Sequence, residues 1–162
     1  MKTKLITLLG AVLLGGGAVA AVAQAGADKP STLDLALDGQ HAIRTYVDAP
    51  PKHRGSASDD SPGDTVVVHA PVLDKNGARV GVLDATFVTT APGTSAQRDG
   101  SEQLTGAFRL AGGQIAVLGT VGAYAQTSHV AIIGGTGRYA GARGDITAHF
   151  SPRAVRLHLE FD

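Results

Sequence analysis

The stretch from His129 to Asp145, HVAIIGGTGRYAGARGD, most constrains what this chain can fold into. Its apolar run followed by GGTGxxxG at first suggests a dinucleotide-binding turn, which also requires a helix and a second strand within about 30 residues. Instead, residues 142–162 alternate between apolar and polar at a period of two, which is typical of strands. The motif therefore predicts a strand that ends, turns tightly and restarts.

The rest of the chain is divided into short strand-like segments by turn signals. Asp74-Lys75-Asn76-Gly77 and Gly112-Gly113 indicate hairpins, and Asp38-Gly39 indicates another turn. No segment has a sustained apolar period of 3.6 residues. The expected strands are 33–37, 43–47, 65–73, 79–90, 103–111, 114–121, 127–133, 142–150 and 153–161. About eight regularly spaced strands predict an all-β antiparallel barrel or sandwich, and closure into a barrel removes exposed strand edges.

Residues 1–27 are expected to be a secretory signal peptide. Lys2 and Lys4 precede an apolar run over 5–23, and cleavage sites of small residues end at Ala23 and at Ala27. A membrane anchor is the alternative, because the run is nearly long enough to span a bilayer. The glycines, alanines and clustered cleavage sites favour removal, so the sequence predicts a secreted, extracellular protein with no stable membrane insertion.

Residues 28–162 are expected to form one domain, since about 135 residues suffice for a proper core. Removal of the signal peptide leaves 12 basic and 14 acidic residues, a net charge of −2 with no basic stripe. Nucleic acid is therefore not an expected partner. The absence of cysteine excludes disulfides and thiolate chemistry. Residues 49–63, APPKHRGSASDDSPG, are expected to be a flexible loop, which is either a lid over a ligand site or a loop without a functional role.

The segment 132–144, IIGGTGRYAGARG, resembles a motif of the allene oxide cyclase and dirigent superfamily. Dirigent proteins carry VVGGTGxFxxARG near their C-terminal end, and allene oxide cyclases carry GGSGxFxGAxG. Tyr139 occupies the aromatic position of both patterns. The resemblance implies a single antiparallel eight-stranded barrel, lipocalin-like in form, and a homodimer or homotrimer. The structural glycines of the motif are Gly134, Gly135, Gly137, Gly141 and Gly144.

Polar residues within apolar strands are the candidates for a ligand site. Asp84 lies in GVLDATF, where it is either a buried carboxyl with a raised pKa, suited to proton transfer, or an outward-facing strand residue. His69 interrupts a valine run, and a hydrogen-bonded structural histidine is the favoured interpretation. Tyr46 and Tyr124 are candidates to line the pocket, as amphipathic residues often do. Tyr139 is expected to pack beneath the glycine turn.

Arg143 is the polar residue that the resemblance supports, because dirigent proteins carry arginine there and their pocket arginines are thought to orient the substrate. The alternative is an ion pair with Asp145 on the same strand face. Asp84 and Arg143 are thus the catalytic candidates, and His69, Asp84, Arg143, Tyr46 and Tyr124 are the ligand-binding candidates. Neither glutamate, Glu102 or Glu160, lies in an early strand, where allene oxide cyclases depend on one.

No metal site is expected, since the six histidines show no ligand spacing, and no cofactor is expected either. The GxSxG elbow typical of serine hydrolases does not occur. The resemblance implies a barrel that encloses a small hydrophobic molecule and guides its cyclisation or stereoselective coupling. A non-catalytic, lipocalin-like carrier and a structural oligomeric barrel with a filled core are the alternatives. A roomy lumen with one or two buried ionisable groups would favour the enzyme, and the absence of any pocket would favour the filled barrel.

Overall fold

The computed structural model describes residues 30–49, 61–93, 99–151 and 154–162. The expected signal peptide, residues 1–27, and residues 50–60 of the expected loop lie outside this part of the chain. The described residues form one 3₁₀ turn, Gly137–Tyr139, and no helix among them is long and apolar enough to cross a membrane. The strands are β1 (Thr32–Leu37), β2 (Ile43–Val47), β3 (Thr65–Asp74), β4 (Arg79–Ala91), β5 (Ser101–Leu110), β6 (Gly113–Gly122), β7 (Thr127–Gly135), β8 (Gly144–Phe150) and β9 (Val155–Phe161).

All neighbouring strands are antiparallel, in the order β1-β9-β8-β7-β6-β5-β4-β3-β2. An additional pairing between β1 and β3 closes the sheet into an eight-stranded barrel, with β2 as an extra strand. The predicted barrel is therefore confirmed, and closure removes most of the strand edges that an open sheet would expose.

The barrel closes because β3 pairs with two strands along one edge. Its C-terminal residues Val72 to Asp74 pair with β1, and its N-terminal residues Thr65 to His69 pair with β2. A turn after Asp38 separates β1 from β2, and the Asp38 carboxylate accepts the backbone N–H groups of Gln40 and His41. Asp38-Gly39 therefore marks a turn as predicted, but the two flanking strands do not pair with each other.

The core is the inner face of the barrel, where apolar side chains alternate with outward polar ones. Ile115, Val72 and Leu159 are fully buried, and Phe108 and Val117 nearly so. Burying such a side chain contributes roughly 1.5–3 kcal/mol. In β5, β6 and β9 the alternating apolar residues are the ones that face inward.

The glycine motif closes one end of the barrel, which we call the closed end. Gly137 has φ +59°, and a side chain there would collide with the carbonyl oxygen of Gly112. The N–H of Arg138 donates to that same carbonyl at 2.8 Å. These contacts place Tyr139 in the core, 4% exposed, with its ring stacked on Phe161. Tyr139 therefore packs beneath the turn, as predicted.

Candidate ligand cavity and its polar rim

An apolar cavity of about 50 Å³ lies inside the barrel, on the side away from Tyr139. Among the described residues no polar side chain lines it, and several lining residues, among them Leu37 and Phe150, are only partly buried. Pockets for drug-sized ligands usually measure about 300–1,000 Å³, so this cavity admits only a small part of such a molecule. Its lining consists of Leu37, Leu83, Phe87, Leu104, Phe108, Val117, Val121, Val130, Ile146, Ala148, Phe150, Val155 and Leu157.

Polar residues also lie on the inner face of the barrel, as the strand register shows. Directly opposite residues of antiparallel strands point to the same face of a sheet. Glu102 lies opposite Val121, a cavity-lining residue, and Thr89 lies opposite Glu102. Ser128 lies opposite Ala148, which also lines the cavity. Thr89 and Ser128 are buried, whereas Glu102 is half-buried.

The extra strand β2 adds two more inner-face residues. Tyr46 lies opposite Val66, which in turn lies opposite the cavity-lining Phe87. Arg44 lies opposite Val68 on the same face. Tyr46 is 73% exposed, so nothing in the barrel covers its ring. We call Arg44, Tyr46, Thr89, Glu102 and Ser128 the rim.

Asp84 lies on the outer face, so the structure selects the second of the two predicted alternatives. Its neighbours Leu83 and Ala85 point into the core, and its own side chain is 45% exposed. His69 Nδ1 lies 2.6 Å from one carboxylate oxygen, and Arg109 Nε donates to the other at 2.7 Å. The hydrogen bond to His69 holds the pKa of Asp84 below its ordinary value, with Arg109 adding to the effect. The other alternative, a buried carboxyl with a raised pKa, is therefore wrong, because strand alternation turns Asp84 outward.

Arg143 and Tyr124 also lie away from the cavity. Arg143 is exposed, and its guanidinium donates to the carbonyl oxygen of Ala142 at 2.8 Å. Within the described residues, no ion pair joins it to Asp145. Tyr124 is half-buried, and its hydroxyl donates to the carbonyl oxygen of Gly93 at 3.3 Å, which ties the β6–β7 turn to the end of β4. Of the five predicted ligand-binding residues, only Tyr46 is on the inner face.

The sequence interpretation missed Glu102 as an inner-face residue. The signal was present, because Glu102 precedes Leu104 and Phe108 by an even number of residues and therefore shares their strand face. Sequence reasoning began this strand at Gln103, whereas β5 begins at Ser101. A boundary error of two residues was enough to leave an inner-face carboxylate out of the candidate site.

Three histidines lie on the outer face of the barrel: His129 on β7, His149 on β8 and His158 on β9. His158 Nδ1 lies 2.6 Å from Asp34, and its Nε2 lies 3.4 Å from Glu160. The hydrogen bond to Asp34 raises the pKa of His158, and Glu160 adds to the shift. His129 contacts the hydroxyl of Thr147 at 3.3 Å. In the described ranges, no group of three or more histidine or carboxylate side chains is placed to hold a metal ion.

A larger groove of about 480 Å³ lies at the closed end, between the start of β1 and the β3–β4 hairpin. Asp74, Lys75 and Asn76 of the hairpin line it, together with Arg138. The core residues Leu35 and Tyr139 line it as well, so the groove reaches the inner face of the barrel. The interior cavity is the better candidate site, because its described lining is apolar throughout, whereas charged side chains also line the groove.

Solved structures with similar folds include enzymes and dirigent proteins. A pyocyanin demethylase has a TM-score of 0.63 and 20% identity, over 81% of this chain and 99% of that protein. A pterocarpan synthase dirigent protein has a TM-score of 0.59 and 18% identity, over 80% of this chain and 91% of that one. The Diels–Alderase AbmU from Streptomyces koyangensis has a TM-score of 0.60 and 21% identity, over 81% of this chain and 63% of that one.

No protein-family model matches the chain, and neither does any curated protein. Identities of about one residue in five support a likeness of fold, not of chemistry. The closed antiparallel barrel and the tight turn at the glycine motif are both as the sequence predicts. The chain therefore has the barrel fold of the allene oxide cyclase and dirigent type, as its motif indicates.

Proposed function

We propose that this protein binds a small amphipathic molecule through its apolar part and restricts the conformation in which that molecule cyclises or couples. The observation that supports the proposal is that apolar and polar side chains occupy different parts of the barrel's inner face. The described lining of the cavity is entirely apolar, and the rim residues Thr89, Glu102 and Ser128 each lie two positions beyond a lining residue of the same strand. Similar folds occur in a dirigent protein and in Diels–Alderases, which supports a role in cyclisation or coupling.

The cavity size determines how a ligand is held. Since about 50 Å³ accommodates only a few atoms, the apolar part enters the cavity and the rest of the molecule lies across the rim. Tyr46 offers an exposed aromatic face there, and Arg44 offers a cation on the same face of β2. Orientation and removal of water lower the barrier of a reaction that needs little covalent help. Glu102 is our candidate for a proton-transferring group, because it is the inner-face carboxylate nearest the cavity in register.

The narrow cavity also favours a second candidate, a structural barrel whose core is filled by its own side chains. In that case nothing binds inside, and the rim is simply the hydrated end of the sheet. A passive carrier lies between these two candidates, since it binds a ligand in the cavity but does not convert it. Export of the chain after removal of residues 1–27 is a further part of the proposal and rests on the sequence alone.

Native mass spectrometry of the protein purified from its secreting host tests binding first. A co-purified small molecule identifies the ligand class and supports the proposal. An environment-sensitive apolar dye is then titrated into the wild type and two valine variants. Ala148→Val narrows the cavity and should abolish binding, whereas Ala131→Val, on the exposed outer face of β7, should not change it. Equal dye binding by both variants, or none by the wild type, would favour the filled barrel.

Turnover is tested with the compound that co-purifies. Glu102→Gln keeps the side-chain size and removes the carboxylate, so it should lower kcat much more than it changes the affinity. A role for Glu102 in binding alone would instead raise KM and leave kcat unchanged. The matched control is Glu160→Gln on the outer face of β9, which should leave both constants at wild-type values.

A further inference from the structure

The strand β2 has one edge paired with β3 and a second edge that no described strand covers. Such an edge presents unpaired N–H and C=O groups, which form a template for another strand. All five residues of β2 are exposed, and Ile43 and Val47 are 65% and 54% exposed respectively. Only one of the five is charged, so the edge lacks the charges that usually prevent edge-to-edge pairing.

The sequence of β2, Ile43-Arg44-Thr45-Tyr46-Val47, is complementary to itself. When two copies run antiparallel and are centred on Thr45, Ile43 of each lies opposite Val47 of the other. Arg44 likewise lies opposite Tyr46, and the two Thr45 residues face each other. Apolar, cation–π and Thr–Thr cross-strand pairs are each worth roughly 0.2–1 kcal/mol. A register centred on Arg44 or Tyr46 would leave one end of each strand unpaired.

We propose that the protein forms a two-fold symmetric dimer in which the free β2 edges of two copies pair antiparallel around Thr45. Such an interface uses the same patch on both subunits and closes on itself. Val67, 45% exposed and opposite Thr45 on β3, extends the apolar surface beside the joined strands. This proposal does not depend on ligand binding or on any activity.

The symmetry has a consequence for the rim. A two-fold axis between antiparallel strands runs perpendicular to the sheet, so both inner faces point to the same side. Arg44 of one copy then lies opposite Tyr46 of the second copy, and both belong to the rim of their own barrel. Each rim therefore gains two side chains, Arg44 and Tyr46, from the other subunit.

Sedimentation velocity of wild-type and variant proteins tests the interface. We expect a dimer for the wild type at high micromolar concentration. Thr45→Asp places two carboxylates face to face at the axis and should give a monomer, and Thr45→Lys should do the same with two ammonium groups. Mixing the two variants should restore a dimer, because opposite charges then meet. Thr105→Asp, on the exposed outer face of β5, is the matched control and should remain dimeric.

A cysteine variant tests the register directly, because the chain contains no cysteine of its own. Opposed residues of antiparallel strands have Cα atoms about 4.5–5.5 Å apart, within the range of a disulfide. Thr45→Cys should therefore form a covalent dimer on mild oxidation, and Thr105→Cys should not. A wild type that sediments as a monomer would refute the proposal. So would a dimer that Thr45→Asp leaves intact, since the interface would then lie elsewhere.

Discussion

The ring of Tyr139 stacks on the ring of Phe161, with centroids 6.3 Å apart and an interplanar angle of 21°. This contact joins the glycine motif to the last strand and fills the closed end of the barrel. Tyr139→Ala should lower the free energy of unfolding by about 3–5 kcal/mol, the usual cost of removing a buried aromatic ring. Tyr139→Phe keeps the ring and should cost less than about 1.5 kcal/mol. Urea unfolding measures both, and equal losses would show that the hydroxyl, not the stacking, is what matters.

Two glycines of the motif distinguish backbone strain from steric collision. Gly137 and Gly141 both have positive φ, of 59° and 71°. A side chain at Gly137 would collide with the Gly112 carbonyl oxygen, whereas one at Gly141 would have nothing within 4 Å. Gly141→Ala should therefore cost only the left-handed backbone strain, about 1–2 kcal/mol. Gly137→Ala should cost clearly more, and equal thermal stabilities of the two variants would contradict this.

The contacts of Asp84 predict a loss of stability in acid. Its pKa is lowered in the folded protein, chiefly by the hydrogen bond to His69, so its contribution is present above its ordinary pKa of 3.8. The contribution disappears as the pH falls through the lower, folded-state pKa. Asp84→Asn should destabilise the protein at pH 7 by up to about 1 kcal/mol, as exposed ion pairs do, and by less at pH 2. Urea midpoints at the two pH values check this, and a pH-independent loss would contradict it.

The position of Asp84 also predicts that this residue does not affect ligand binding. Because its carboxylate lies on the outer face, Asp84→Asn should leave the affinity for an apolar dye unchanged. Ala148→Val, which alters the cavity lining, should abolish dye binding in the same assay. Weaker dye binding by Asp84→Asn would contradict the assignment of the cavity as the binding site.

The pair of Asp34 and His158 predicts the opposite dependence on pH. The pKa of His158 is raised above its ordinary value of 6.5, chiefly by the hydrogen bond to Asp34. The stabilisation is therefore fully present below pH 6.5 and is lost as the pH rises through the folded-state pKa. Asp34→Asn should lower the pKa of His158 in an NMR titration. Glu160→Gln should lower it less, because Glu160 lies 3.4 Å away and Asp34 2.6 Å.

The sequence predicted the strands well because their alternation and turn residues are local signals. Asp74-Lys75-Asn76-Gly77 forms a hairpin turn in which the Asp74 carboxylate accepts the N–H groups of Asn76 and Ala78. The glycine motif identified the barrel for a similar reason, since only glycine fits its positive φ angles and close backbone approaches.

The site was predicted less well because it depends on which strands become neighbours. Asp84 meets Arg109 only after β4 and β5 have paired in register, and no local pattern specifies that register. Strand alternation alone places Asp84 on the face opposite to that of Leu83 and Ala85, so its outward position could have been predicted from the sequence. Arg143 was chosen by resemblance, and the conformation of its turn directs it to a backbone carbonyl.

The junction of β1 with β3 has a consequence for how the barrel moves. Three residue pairs join these strands, at Leu35, Ala36 and Leu37, whereas ten join β5 to β6. Local opening proceeds most readily where the fewest hydrogen bonds must break. Amide protons along this junction should therefore exchange with deuterium sooner than those of β5 and β6. Leu37 also lines the cavity, so separation of β1 from β3 would open a path from the side of the barrel to the cavity.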